Sequence, residues 1–121
     1  MIEDSELFSF ETKQISGFIV LTPMVRELTY KNSKQFLAHA KSTLDTEKSK
    51  AVLCLKNIEI IDSMSLGTLV ALLKHVKKLD GEIVITDLAE PLKVLFSLLN
   101  FNSVFMCYAS VDEAISSLNN E

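Results

Sequence analysis

Glycine and proline are scarce in this sequence, with three and two residues in 121. That scarcity excludes a low-complexity or disordered chain, and a composition of 48% hydrophobic and 23% charged residues agrees with it. Cysteine is equally sparse. Cys54 and Cys107 stand apart, with no CxxC and no Cys/His cluster, so no metal-ligand or disulfide pattern exists. Each lies in an apolar, strand-like run and reads as a buried structural thiol. Positive charge is not in excess either. A formal net charge of −4 without a Lys/Arg cluster argues against nucleic acid, which needs a basic face. No apolar run approaches the roughly twenty residues that span a bilayer. The start, Met1-Ile2-Glu3-Asp4-Ser5-Glu6, is acidic and has no basic n-region or apolar h-region. A cytoplasmic protein is expected, with no direct membrane insertion and a single domain over residues 1–121.

What is present is a regular alternation of strand and helix patterns. Leu7-Phe8-Ser9-Phe10-Glu11 alternates with period two, Phe18-Ile19-Val20-Leu21 is β-rich, and Gln14–Gly17 turns between them. Residues 6–22 therefore predict a β-hairpin, ended by Pro23, which cannot donate to a ladder. Thr29 is placed to cap a first helix with Phe36, Leu37, Ala40 and Leu44 on one face. A third strand is expected at 51–55. A second helix follows from about Met64 to Leu79, burying Leu66, Leu69, Val70, Leu73 and Val76 and leaving Lys74, Lys77 and Lys78 to water or to an acidic partner.

Asp80-Gly81 returns the chain into a fourth strand, 82–86. Glu90-Pro91 opens a third helix with Leu92, Leu95, Phe96 and Leu99 inward, stopped at Asn100. Ser103–Tyr108 reads as a fifth strand. Ser110-Val111-Asp112-Glu113 is a capping box for a last helix through Leu118. The order is β-β-α-β-α-β-α-β-α, an α/β domain with a mixed, mostly parallel sheet of four to five strands and four helices.

The most informative stretch is Ile58-Glu59-Ile60-Ile61-Asp62-Ser63-Met64-Ser65-Leu66-Gly67. It leaves the C-terminal end of the third strand, where such sheets usually carry function, and starts the second helix. A helix start offers unpaired N–H groups and a positive dipole end to carboxylates, hydroxyls and phosphates. Asp62 and the two serines serve there either as capping groups or as a switch. Gly67 in a helix interior costs about 1 kcal/mol relative to Ala, and is explained either by close packing on the sheet or by a partner that needs a smooth surface.

This element order, with Asp62-Ser63-x-x-Leu66-Gly67 between the third strand and second helix, resembles the STAS domain. More narrowly it resembles bacterial anti-sigma factor antagonists, over about residues 6–119. The resemblance also takes in Gly81–Ile85, the Leu92–Leu99 helix, Phe105 and the final Asp112-Glu113-Ala114-Ile115 helix. It implies partner switching. The unphosphorylated antagonist binds an anti-sigma factor that is also a serine kinase and frees a sigma factor. Phosphorylation of a Ser at the start of the second helix breaks that complex, and a PP2C-type phosphatase restores it.

The common family pattern is Asp-Ser-Ser-Gly-Leu-Gly with its second Ser as acceptor. In this chain Met64 holds that position and Ser65 the next, so the acceptor does not transfer directly. Three accounts follow: a shifted acceptor, a permanently active antagonist, or a non-phosphorylated STAS subunit of a transporter, chemotaxis-linked or stress-signalling complex. Ser65 is the preferred shifted acceptor, as the hydroxyl expected to be exposed, and Ser63 is second, as a helix cap. The partner-binding residues implied are Asp62, Ser63, Met64, Ser65, Leu66 and Gly67.

No enzyme and no cofactor are expected. Ser63 and His75 are the sole evident nucleophile–base pair, and their spacing on one helix separates them by roughly 15–18 Å. His39 and His75 read as surface or interface residues.

Overall fold

The computed structural model describes residues 8–120. Among the described residues seven strands form: β1 (Phe10–Ile15), β2 (Phe18–Pro23), β3 (Glu27–Leu28), β4 (Lys50–Cys54), β5 (Ile60–Ile61), β6 (Glu82–Thr86) and β7 (Cys107–Tyr108). Four α-helices lie among them: α1 (Ser33–Thr43), α2 (Ser63–Lys78), α3 (Glu90–Leu98) and α4 (Val111–Asn119). The main sheet has the order β1-β2-β4-β6-β7. Only β1–β2 is antiparallel, a hairpin in register from Phe10 opposite Pro23 to Ile15 opposite Phe18. Ser16 and Gly17 both take positive φ in its two-residue loop, the twist that a tight hairpin needs.

Period-two alternation sends the strand side chains to two cores. Leu21, Ala51, Leu53, Ile83 and Ile85 face a large core with Phe36, Leu69, Leu72, Leu92 and Phe96, under α1, α2 and α3. Phe18, Val20, Val52, Cys54 and Val84 face a smaller one closed by Ala114 and Ile115 of α4. Burying each large apolar side chain contributes roughly 1.5–3 kcal/mol, so these two faces hold the sheet in register.

Helix α2 ends in a Schellman arrangement. Gly81 N–H donates to Val76 O (2.9 Å) and Asp80 N–H to Lys77 O (3.0 Å), with Asp80 itself left-handed at φ 61°. Gly81 is needed for another reason. A Cβ there would stand 2.6 Å from Ser49 O and 2.9 Å from Val76 Cγ1.

The fold class and the four helices agree with the expectation, and several boundaries differ from it. The hairpin's first strand starts at Phe10; Glu6 and Leu7 lie outside the described residues. Helix α1 starts at Ser33, not beside Thr29. Thr29 O instead accepts from Asn32 and Ser33 N–H, and Asn32 Oδ1 accepts from Thr29 N–H, which closes a turn after β3. The expected fifth strand, 103–108, shrinks to Cys107–Tyr108, because Asn100 turns left-handed at φ 59° and Phe101–Ser103 coil into a 3-10 turn. That turn drops Phe105 into the core, packs Phe101 between Phe96 (edge-on) and Phe105 (tilted), and leaves Leu99 51% exposed beyond the end of α3. Val70 and Leu73 are half-buried, and Leu72 takes the central inward position instead. Cys54 is buried, whereas Cys107 is only half-buried.

Candidate functional site

The start of α2 is fixed by a miniature sheet that periodicity did not predict. β3 and β5 pair in parallel outside the main sheet, Glu27 opposite Ile60 and Leu28 opposite Ile61. Glu59 and Ile60 N–H both reach Arg26 O, and Asp62 N–H reaches Leu28 O at 3.2 Å. Ile61 and Leu28 are buried beneath this ladder, while Ile60 stays 50% exposed. The ladder brings the turn after β3, including Tyr30, against the first residues of α2.

Asp62 ties the two segments together. Its Oδ1 accepts from Ser65 N–H at 2.9 Å as the helix cap, and its Oδ2 accepts from Tyr30 N–H at 2.8 Å. Partial burial works against its charge, but the N–H donors of Ser65 and Tyr30 outweigh that and hold the carboxyl below its ordinary value of 3.8. Asp62 therefore serves as a structural clamp, and both carboxylate oxygens are occupied.

A depressed carboxyl contributes stability that is present at neutral pH and is lost as pH falls from the ordinary carboxylate value through the folded one. Asp62→Asn is expected to lower the unfolding midpoint at pH 7 by several degrees, since an amide oxygen satisfies only one of the two donors. The gap to wild type should narrow progressively as pH falls below the ordinary carboxylate value and Asp62 itself protonates. Thermal melts by circular dichroism across pH 2.5–7 measure this, and a gap independent of pH would refute the assignment of charge.

Around this clamp the side chains divide sharply. Ser63 and Gly67 are exposed, Met64 is 59% exposed, and Leu66 is buried. Ser65 is 0% exposed, which reverses the expected roles of the two serines. Successive helical residues turn by about 100°, so an outward Met64 forces Ser65 inward, above Leu69 and Leu72. The Ser65 hydroxyl finds no hydrogen-bond partner there and is out of a kinase's reach. Ser63 is the accessible hydroxyl, and the capping is done by Asp62.

A Cβ on Gly67 would meet nothing within 4 Å, so close packing is not why glycine stands there. Tyr30 at 66% exposure, Ile60 at 50% and Met64 are the large apolar or aromatic side chains exposed on the segments that meet at the helix start. Tyr30 had no signal in the sequence, because it is joined to the site only through the β3–β5 ladder.

Both histidines have structural contacts. His75 Nε2 lies 3.3 Å from Leu44 O and 3.8 Å from Asp45, and His39 Nδ1 is 2.7 Å from Phe8 O. Ser63 and His75 lie at opposite ends of α2, too far apart to act on one proton. Burial raises both thiols above their ordinary range, which disfavours the thiolate form. Among the described residues no three His, Cys, Asp or Glu side chains are grouped to hold a metal. No helix in the described residues is long and apolar enough to cross a membrane.

Residues 9–114 match the family model described as "STAS domain". The chain belongs to the STAS domain family. A Thermotoga neapolitana relative, provisionally named an anti-sigma factor antagonist, is 28% identical over 107 residues, or 88% of this chain and 94% of its own. The crystal structure of a provisionally named anti-sigma factor antagonist from Thermotoga maritima superposes with a TM-score of 0.82 at 24% identity, covering 97% and 99% of the two chains. A Bacillus cell fate determinant solved in its phosphorylated form superposes at 0.64 with 15% identity, over 91% of this STAS domain and 99% of that chain.

Proposed function

We propose that this STAS domain is an anti-sigma factor antagonist that docks through the exposed start of α2. The contact residues are Asp62, Ser63, Met64 and Gly67, with Tyr30 and Ile60 on the flank and Ser65 and Leu66 supporting from beneath. The partner is an anti-sigma factor that is also a serine kinase, and its capture frees a sigma factor for transcription. The setting is the cytoplasm.

The observation that carries this reading is Gly67. It sits next to exposed Met64 on one outward face, and nothing inside the molecule needs it to lack a side chain. A helix that accepts a penalty of about 1 kcal/mol with no internal contact to explain it suits a face that another backbone approaches closely. The names of the Thermotoga relatives support the class of partner.

Ser63 is the proposed phosphoacceptor. Transfer of the ATP γ-phosphoryl to its Oγ would place roughly −1.5 to −2 charges among the proposed contact residues. The amide groups at the helix start tolerate that charge within the chain, whereas acidic or apolar groups of a docked partner do not. A PP2C-type phosphatase would reverse it. Met64 at the family's acceptor position favours a second reading, a permanently active STAS subunit that binds without a switch.

The test is titration of the purified chain with the kinase-like anti-sigma factors of its own genome, then intact-mass measurement after addition of Mg-ATP. Stable binding is expected, with one added phosphate on wild type and on Ser65→Ala and none on Ser63→Ala. Binding without added mass selects the non-switching reading. Failure to bind any of these proteins removes the antagonist reading altogether.

A further inference from the structure

We infer that the groove at the C-terminal ends of α1 and α2 is a second docking site, and that its occupant is an acidic helical segment of a protein partner. This does not depend on the antagonist reading, because none of its residues belongs to the corner around Asp62.

The two helices end side by side, as the contact from His75 of α2 to the Leu44 carbonyl at the end of α1 requires. Between and over these ends lies an open groove of about 710 Å³. Lys41 contributes from α1, and Lys74, Lys77 and Lys78 contribute from α2, around a floor that includes Ala71 and Leu73. No carboxylate lines the groove, and none of the four lysines forms an ion pair among the described residues. Asp45, near its edge, faces His75.

Lysines in a last helical turn are expected in part for the dipole, whose C-terminal end carries roughly half a negative charge. Two such ends offset about one of four positive charges, which leaves about three unmatched. That excess stands out on a chain whose net charge is −4.

The form of the groove selects the occupant. A phosphate or nucleotide site is commonly built on the backbone N–H groups of a helix start beside its cations, and the helix C-termini here present carbonyls instead. A membrane-binding surface carries exposed aromatic or large aliphatic side chains amid its lysines. Here the strongly exposed apolar residues lie elsewhere, at Met64 and at Leu98, for example. Nucleic acid would be repelled by the rest of this acidic surface. Lys74 and Lys78 are one helical turn apart, a spacing matched by carboxylates at i and i+4 of an incoming helix. The small Ala71 side chain lets such a helix settle between the lysine stems.

The groove is also electrically separate from the corner at Ser63. Eleven residues of helix between Ser63 and Lys74 span roughly 16 Å, about twice the screening length at physiological salt. A charge added at Ser63 would thus leave this groove unchanged.

The experiment is an NMR titration of the isotope-labelled chain with a synthetic amphipathic peptide of about 15 residues bearing glutamates at i, i+4 spacing, long enough to be helical. A glutamine version, phosphatidylserine vesicles and inorganic phosphate are the other arms. Amide shifts are expected at Lys41, Ala71, Lys74 and Lys78 with the glutamate peptide alone, weakening as salt rises. Lys74→Glu with Lys78→Glu should reduce affinity at least tenfold, Lys74→Gln with Lys78→Gln by an intermediate factor, and Ser63→Glu by less than twofold. Equal binding of the glutamine peptide, shifts centred elsewhere, or an equal loss in Ser63→Glu would overturn the proposal. Capture by vesicles without peptide binding would assign the groove to a membrane, and phosphate shifting the same amides while displacing the peptide would assign it to small anions.

Discussion

Gly81→Ala is expected to lower the unfolding midpoint by about 10 °C. The added methyl would stand 2.6 Å from the Ser49 carbonyl oxygen, a backbone atom that also accepts from Glu82 N–H at 2.8 Å. It cannot yield without breaking the first link between β6 and the chain entering β4. Val76 Cγ1, at 2.9 Å, belongs to a short branched side chain that is 1% exposed and packed in the core. Overpacking of this kind costs typically 1–3 kcal/mol, and a chain of this size loses several degrees per kcal/mol.

Gly67→Ala is the matched comparison, because its methyl meets nothing and it removes a flexible residue from a helix interior. It should stabilise the free chain by about 1 kcal/mol while weakening partner binding. Melts of both variants against wild type decide the matter. Equal destabilisation by the two would mean that the space around Gly67 is not open.

These two glycines illustrate what the sequence could and could not convey. Gly67 lies within helix α2 and Gly81 just beyond its end, and the pattern of residues distinguished neither role. Periodicity located α2, β4 and β6 to within about a residue, because each buries one face or both faces against a core and the repeat is imposed along its whole length. It failed at β3 and β5, whose two residues each are too short to show any repeat. Those strands exist because Arg26 O, Leu28 O and the Asp62 carboxylate gather N–H groups from segments about thirty residues apart in the chain.

The candidate site was legible as a segment and misread in its orientation. Asp62 at a helix start implied a cap, and it is one. Which serine pointed outward depended on the helical phase, set by Leu69, Leu72 and Val76 together. With Leu73 in place of Leu72 as the inward residue, the phase shifts by one position. Ser65 then looks more exposed than it is. Tyr30 was invisible for a different reason, since its place at the site comes from tertiary pairing alone.

Met64→Glu should weaken capture of the proposed anti-sigma partner by about a hundredfold and leave the fold intact. Met64 is 59% exposed and faces away from the core, so the substitution removes little buried area and its midpoint should stay within a degree or two of wild type. A partner that covers this corner must bury the new carboxylate close to the Asp62 carboxylate, two positions away in the chain. Introducing a charge at the centre of a packed contact reaches the range of interface hot spots, at least about 2 kcal/mol, and beyond it when the charge is unpaired. Ser63→Glu approximates the proposed phosphorylated state and should fall in the same direction by a smaller factor, because one carboxylate carries less charge than a phosphate. Ser65→Asp serves as the contrast. It would place a charge at a position with 0% exposure, so its loss of binding should accompany a loss of the folded state. Calorimetric titration of each variant, paired with a melt, separates docking from folding. Unchanged affinity in a folded Met64→Glu protein would place the partner on another face and leave the exposed Gly67 without a function.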